Sequence, residues 1–142
     1  MLRRLTALDA RERRLLVVGL CWVIASRAAL VASAGSLQGT QKALDVLGRR
    51  LPRPRSFTLQ EAAWATSAAA RRVPGTRCLA WALALRGLLS HAGIPSQLRI
   101  GVAKAEPGRL TAHAWIDCAG RTLSWGDSVE RYNVLHPSAA RS

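Results

Sequence analysis

The chain has 142 residues, 49% of them hydrophobic, which suits one domain of ordinary size and excludes disorder throughout. Its formal net charge is +13, with net +9 in residues 1–72 and net +4 in residues 73–142. Aromatic residues make up only 5% and no basic-aromatic motif accompanies the charge, so no nucleic-acid partner is expected.

Almost all of the positive charge is arginine, Lys42 and Lys104 being the only lysines, which is partly what GC-rich coding produces in an alanine-rich chain. Three cysteines, Cys21, Cys78 and Cys118, form no close pair and no C-x-x-C. That argues against a disulfide framework or a structural zinc site and suits a reducing, cytoplasmic setting. No metal or other cofactor is called for.

Residues 2–33 read as one or two helices. Asp9-Ala10-Arg11-Glu12-Arg13-Arg14 is a polar turn, and Leu15 to Ser26 is a 12-residue apolar run ended by Arg27. A membrane span needs about 20 such residues, so the run is too short. Arginines, an apolar stretch and Ala32-Ser33-Ala34 imitate a secretory signal, but Asp9 and Glu12 ahead of the run and Arg27 behind it speak against one. A helix apolar almost all round is covered by other elements, a partner or lipid. Peripheral membrane contact through residues 15–34 is compatible with this pattern. Leu37 to Leu47 reads as a further short helix stopped by Gly48.

Arg49-Arg50-Leu51-Pro52-Arg53-Pro54-Arg55 is a stiff basic linker, since two prolines in three positions preclude a regular helix. It divides a helical lead, residues 1–56, from a second region, residues 57–142. That region opens on Thr58-Leu59-Gln60-Glu61, a capping box with Thr58 as N-cap and Glu61 at N3. The helix it starts runs to about Arg72 and stops at Val73-Pro74-Gly75. The next helix carries Cys78 in its first turn. Its residues Cys78, Trp81, Ala82, Leu85, Leu88 and Leu89 form an apolar stripe, and Gly93 closes it. After Pro95 the period changes from 3.6 to 2. Leu98 to Val102, Leu110 to Asp117 and Thr122 to Trp125 read as three strands, joined by turns at Glu106-Pro107-Gly108 and Cys118-Ala119-Gly120-Arg121. Helices followed by an antiparallel meander give an α+β fold.

A thiol at a helix start lies beside free N–H groups and the positive end of the dipole, the setting that favours a reactive thiolate. Such a nucleophile needs a base, and the base needs an orienting group. His113, 35 residues downstream and in mid-strand, is the candidate base. Two aspartates compete for the third role. Asp117 lies four residues along the same strand, about 13 Å away at 3.3 Å per residue. Asp127 lies on or just past the next strand. With a turn centred on Ala119-Gly120, Asp117 pairs with Thr122 and His113 falls opposite Gly126, and a one-residue bulge or a three-residue loop would bring Asp127 opposite His113. Asp127 is therefore favoured and Asp117 kept as the alternative. His91, His136, Cys21 and Cys118 are weaker candidates. Each main residue also has a plain structural role: Cys78 as core filling, His113 as a packed strand residue, the aspartate as a turn former.

Cys78-Leu79, the run Leu88-Leu89-Ser90-His91-Ala92-Gly93-Ile94-Pro95-Ser96-Gln97-Leu98-Arg99-Ile100-Gly101-Val102, and His113-Ala114-Trp115-Ile116-Asp117 together resemble the lasso peptide leader peptidase family. This family supplies the stand-alone protease of split lasso maturation systems and is a branch of the transglutaminase-like, papain-related superfamily. The match covers about residues 58–135. The resemblance implies a cysteine peptidase with Cys78 as nucleophile, His113 as general base and Asp127 as third member. It implies removal of the leader from a ribosomally made precursor. It also implies a separate leader-recognition protein and an asparagine-synthetase-like lasso cyclase as partners, because no segment here reads as a leader-recognition domain. A catalytically silent binding module built on the same fold is the alternative expectation.

Overall fold

The computed structural model describes residues 9–32, 37–51, 57–106, 108–125 and 132–134. Within these lie four helices, α1 (Ala10–Ala32), α2 (Leu37–Arg50), α3 (Leu59–Arg72) and α4 (Cys78–His91). Four strands follow, β1 (Gln97–Glu106), β2 (Arg109–Cys118), β3 (Arg121–Leu123) and β4 (Asn133–Val134). The strands form one antiparallel sheet in the order β3-β2-β1-β4. The expected α+β class is what the chain adopts.

The polar stretch from Asp9 is the start of a helix, not a turn. The Glu12 N–H donates to the Asp9 carboxylate at 2.7 Å, and the Asp9 N–H donates to Glu12 Oε2 at 3.0 Å. This reciprocal pair is a capping box built on aspartate. The helix then continues past Arg27 for 23 residues in all. The Arg27 guanidinium donates to the Pro74 carbonyl. By length and composition α1 could cross a membrane, its mean hydropathy reaching 2.2 over 18 residues. One face is nevertheless committed to the protein, where Leu15, Leu16, Gly19, Trp22, Val23 and Ser26 are buried against α3 and α4. At Gly19 the packing is backbone to backbone: a Cβ there would stand 2.7 Å from the Ala65 carbonyl oxygen.

Helix α2 also outlasts its expected stop, running through Gly48 to Arg50. Gly48 faces the edge of the Trp22 ring. Helix α3 begins at the expected capping box: Thr58 Oγ1 accepts from the Glu61 N–H, and Glu61 Oε1 accepts from the Thr58 N–H. Helix α4 is tied to α3 by Trp81 Nε1 donating to Ser67 Oγ at 3.0 Å, and to α2 by Arg86 and Asp45 at 3.6 Å. It ends in a Schellman motif, with Gly93 at φ +82°, its N–H on the Ser90 carbonyl and the Ile94 N–H on the Leu89 carbonyl.

Alternation along the strands sorts side chains onto two faces. Leu98 and Ile100 of β1, with Ala114, Ile116 and Cys118 of β2, join the helices in the main core. That core draws on residues from both sides of the basic linker, of which 52–56 lie outside the described residues. Ala103, Trp115 and Tyr132 form a second, smaller cluster on the other face. The β2–β3 turn is Ala119-Gly120, both at positive φ (51° and 77°), which matches a two-residue hairpin. Asp117 pairs with Thr122 as the turn requires. Strand β4, a two-residue ladder on Gly101 and Val102, was not foreshadowed by the pattern of the last stretch.

Candidate active site

Cys78 is the first residue of α4 and half-buried. Arg77, the N-cap, is extended (φ −109°, ψ 173°) and its side chain makes no capping bond. The first N–H groups of α4 therefore have no side-chain cap from this residue and remain directed at whatever approaches the thiol. The turn ahead is fixed from two sides. Thr76 Oγ1 donates to the Val73 carbonyl at 2.8 Å, and Arg27 of α1 holds the Pro74 carbonyl. Gly75 takes φ +81° there, a conformation only glycine adopts without strain, and the Arg27 guanidinium lies against it. The Cys78 side chain packs on the edge of the main core.

His113 sits in the middle of β2, opposite Gly101 of β1, and is only 5% exposed. It lies on the sheet face that carries Trp115 and Tyr132. Its ring stacks on Tyr132 at 5.1 Å and Trp115 at 6.0 Å between centroids. Gly101 makes room for this arrangement: a Cβ there would meet the Trp115 ring at 2.7 Å and Tyr132 Cβ at 2.8 Å. His113 Nε2 is 2.7 Å from Ser124 Oγ, just beyond the end of β3. Ser124 was not foreseen as a partner, although it could have been. With the turn at Ala119-Gly120, Ser124 falls opposite Trp115 and hence on the face of His113.

Asp117 is occupied elsewhere. Its carboxylate accepts from Arg99 Nε at 3.1 Å and from Thr122 Oγ1 at 3.0 Å. Asp127 lies outside the described residues, as does His136. Among the described residues Cys78 and His113 share no hydrogen bond. Cys78 joins the helix-side core, while His113 joins the aromatic cluster on the other face of the sheet. What relates them is that α4 packs on β2, the strand that carries His113.

The other candidates fall into structural roles. His91 Nε2 faces the Leu51 carbonyl at 3.3 Å and its ring meets Trp22. The Cys118 thiol is buried and donates to the Pro95 carbonyl at 3.4 Å. Cys21 is exposed on α1. A cleft lined by Leu44, Asp45, Arg49, Arg86 and His91 opens between α2 and the carboxyl-terminal half of α4, the half away from Cys78. Among the described residues no three or more His, Cys, Asp or Glu side chains gather as metal ligands would.

A thiol opening a helix, packed on an antiparallel sheet that carries a buried histidine, is an arrangement against which known families can be compared. Neither the curated proteins nor the solved structures give a match. A family model described as the transglutaminase-like superfamily matches residues 21–136. That span holds about half of α1, all of α2 to α4, the described sheet, and Cys78, His113 and Asp127, and on its extent the chain belongs to the transglutaminase-like superfamily.

Proposed function

We propose that the protein is a cysteine peptidase that removes the leader from a ribosomally made lasso peptide precursor, with a separate protein recognising the leader. The observation that carries the reading is the position of Cys78 at the first residue of α4, inside the superfamily match and 35 residues ahead of a buried strand histidine. The finer assignment rests on the resemblance of the Cys78, Gly93-to-Val102 and His113-to-Asp117 stretches to the leader peptidases. On this reading Cys78 is the nucleophile, His113 the general base and Asp127 the third member of the triad. His113 takes the thiol proton, and the thiolate sulfur adds to the scissile carbonyl carbon. The C–N bond breaks as the imidazolium gives its proton to the leaving amine. Water, deprotonated by His113, then hydrolyses the thioester to a carboxylate and returns the thiol. The Cys78 backbone N–H is the natural donor to the oxyanion.

The test is mass spectrometry of precursor incubated with the protein and its recognition partner. Cys78→Ala and His113→Ala should each lower cleavage by about a thousandfold or more. Undiminished cleavage by Cys78→Ala overturns the proposal.

A second reading, a scaffold of the same fold without peptidase activity, draws on the location of His113 in the aromatic cluster on the face away from the core that holds Cys78. It predicts that Cys78→Ala supports peptide maturation in a producing cell as well as the native chain does.

A further inference from the structure

One face of α1 packs on the protein, and the opposite face carries Val17, Cys21, Ile24, Ala28 and Val31, all exposed. Their spacing of four, three, four and three keeps them in one line about 21 Å long, at 1.5 Å per residue. Val17 is 57%, Ile24 56% and Val31 82% exposed, more than a folded domain usually grants such side chains in a row. Between Arg14 and Lys42 the sequence holds a single charge, Arg27. It sits within this length of helix, yet its guanidinium folds inward to the Pro74 carbonyl and leaves the outer line uncharged. At the amino end the line meets Arg14, one turn before Val17, beside Arg13. Both arginines are exposed, and neither has an ion-pair partner among the described residues.

We infer that this face of α1 docks on an anionic membrane surface, lying along it rather than crossing it. Crossing would pull Leu16, Trp22 and Val23 out of the core, where they are 4% exposed or less. Lying flat leaves the core intact, buries the outer valines and isoleucine in the headgroup boundary, and puts Arg13 and Arg14 at the phosphates. The charge complementarity selects anionic lipid over a second copy of a chain whose own net charge is +13. This inference is independent of the peptidase reading.

Flotation of the full chain with vesicles of phosphatidylcholine, alone or mixed with phosphatidylglycerol, tests it. The native chain should float with the mixed vesicles, less with the neutral ones, and less as salt rises. Val17→Ser with Ile24→Ser should lower partitioning by about tenfold or more, with circular dichroism unchanged. Arg13→Gln with Arg14→Gln should weaken the preference for anionic lipid. Leu110→Ser, at an exposed apolar residue on the sheet, should float like the native chain. Unaltered flotation of the double serine variant overturns the inference, as does equal loss in Leu110→Ser. It is also overturned by a native dimer that the serine pair converts to monomer.

Discussion

His113 Nε2 on β2 and Ser124 Oγ, just past the end of the neighbouring β3, stand 2.7 Å apart. The contact adds a polar restraint to a ring that already stacks on Tyr132 and Trp115. On the peptidase reading Ser124 is therefore a positioning residue. Ser124→Ala should lower kcat/KM by about fivefold, the equivalent of ~1 kcal/mol for one neutral hydrogen bond. It should also displace the acid limb of the pH–rate profile, while Ser124→Thr restores both. A profile identical to that of the native chain would mean that the hydroxyl only packs.

The two aspartates are separable in the same assay. Asp117 is engaged by Arg99 and Thr122. Asp117→Asn should cost stability and leave turnover within about threefold, whereas Asp127→Asn should lower it by a factor on the order of 10³ to 10⁴. The reverse ranking would make Asp117 the orienting acid.

Two helical glycines should respond oppositely to alanine. At Gly19 a Cβ meets the Ala65 carbonyl oxygen at 2.7 Å, and backbone cannot yield as a side chain can. Gly19→Ala should destabilise by about 1–3 kcal/mol. At Gly48 the nearest atom is a Trp22 ring carbon at 3.5 Å, an ordinary contact. Gly48→Ala should stabilise by up to about 1 kcal/mol through the unfolded chain. Urea denaturation of both variants checks the pair, and loss of stability in both would mean that α2 has no room after all.

Glu61 links acid stability to the join between α1 and α3. The Thr58 backbone N–H, and then Arg11, hold its carboxyl below the usual value of 4.5. A lowered folded value means that the unfolded chain binds the proton first. The contribution is therefore complete above pH 4.5 and is lost as pH falls through the folded value. The group is solvent-exposed, so the effect is small. Glu61→Gln should flatten the acid side of a plot of urea midpoint against pH, and an unchanged slope would show that Glu61 is not among the groups responsible.

Local signals were the legible ones. Thr58 and Glu61 are three residues apart, and the stop at Gly93 needs only its neighbours, so both ends of those helices could be read directly. Likewise the Ala119-Gly120 turn set the register of Asp117 on Thr122. Arg27 was opaque because its partner, Pro74, is 47 residues away. The charge that closes the apolar run says nothing by itself of the carbonyl it binds. The Asp9–Glu12 box was hidden by the arginines around it, which made a helix start look like a turn. Strand β4 is held by its pairing with Gly101 and Val102 and not by propensity. The chemistry of Cys78 was legible as a helix-start thiol. The surroundings of His113 were not, because Tyr132 reaches it only through that short ladder.

The bond from Arg27 to Pro74 joins α1 to the turn that delivers Cys78. That bond ties the position of α1 to Gly75 and Thr76, the residues that lead into the first turn of α4. The thiol is thus geared to the helix that meets the surroundings, and Arg27→Leu is the change that would let one turn without the other.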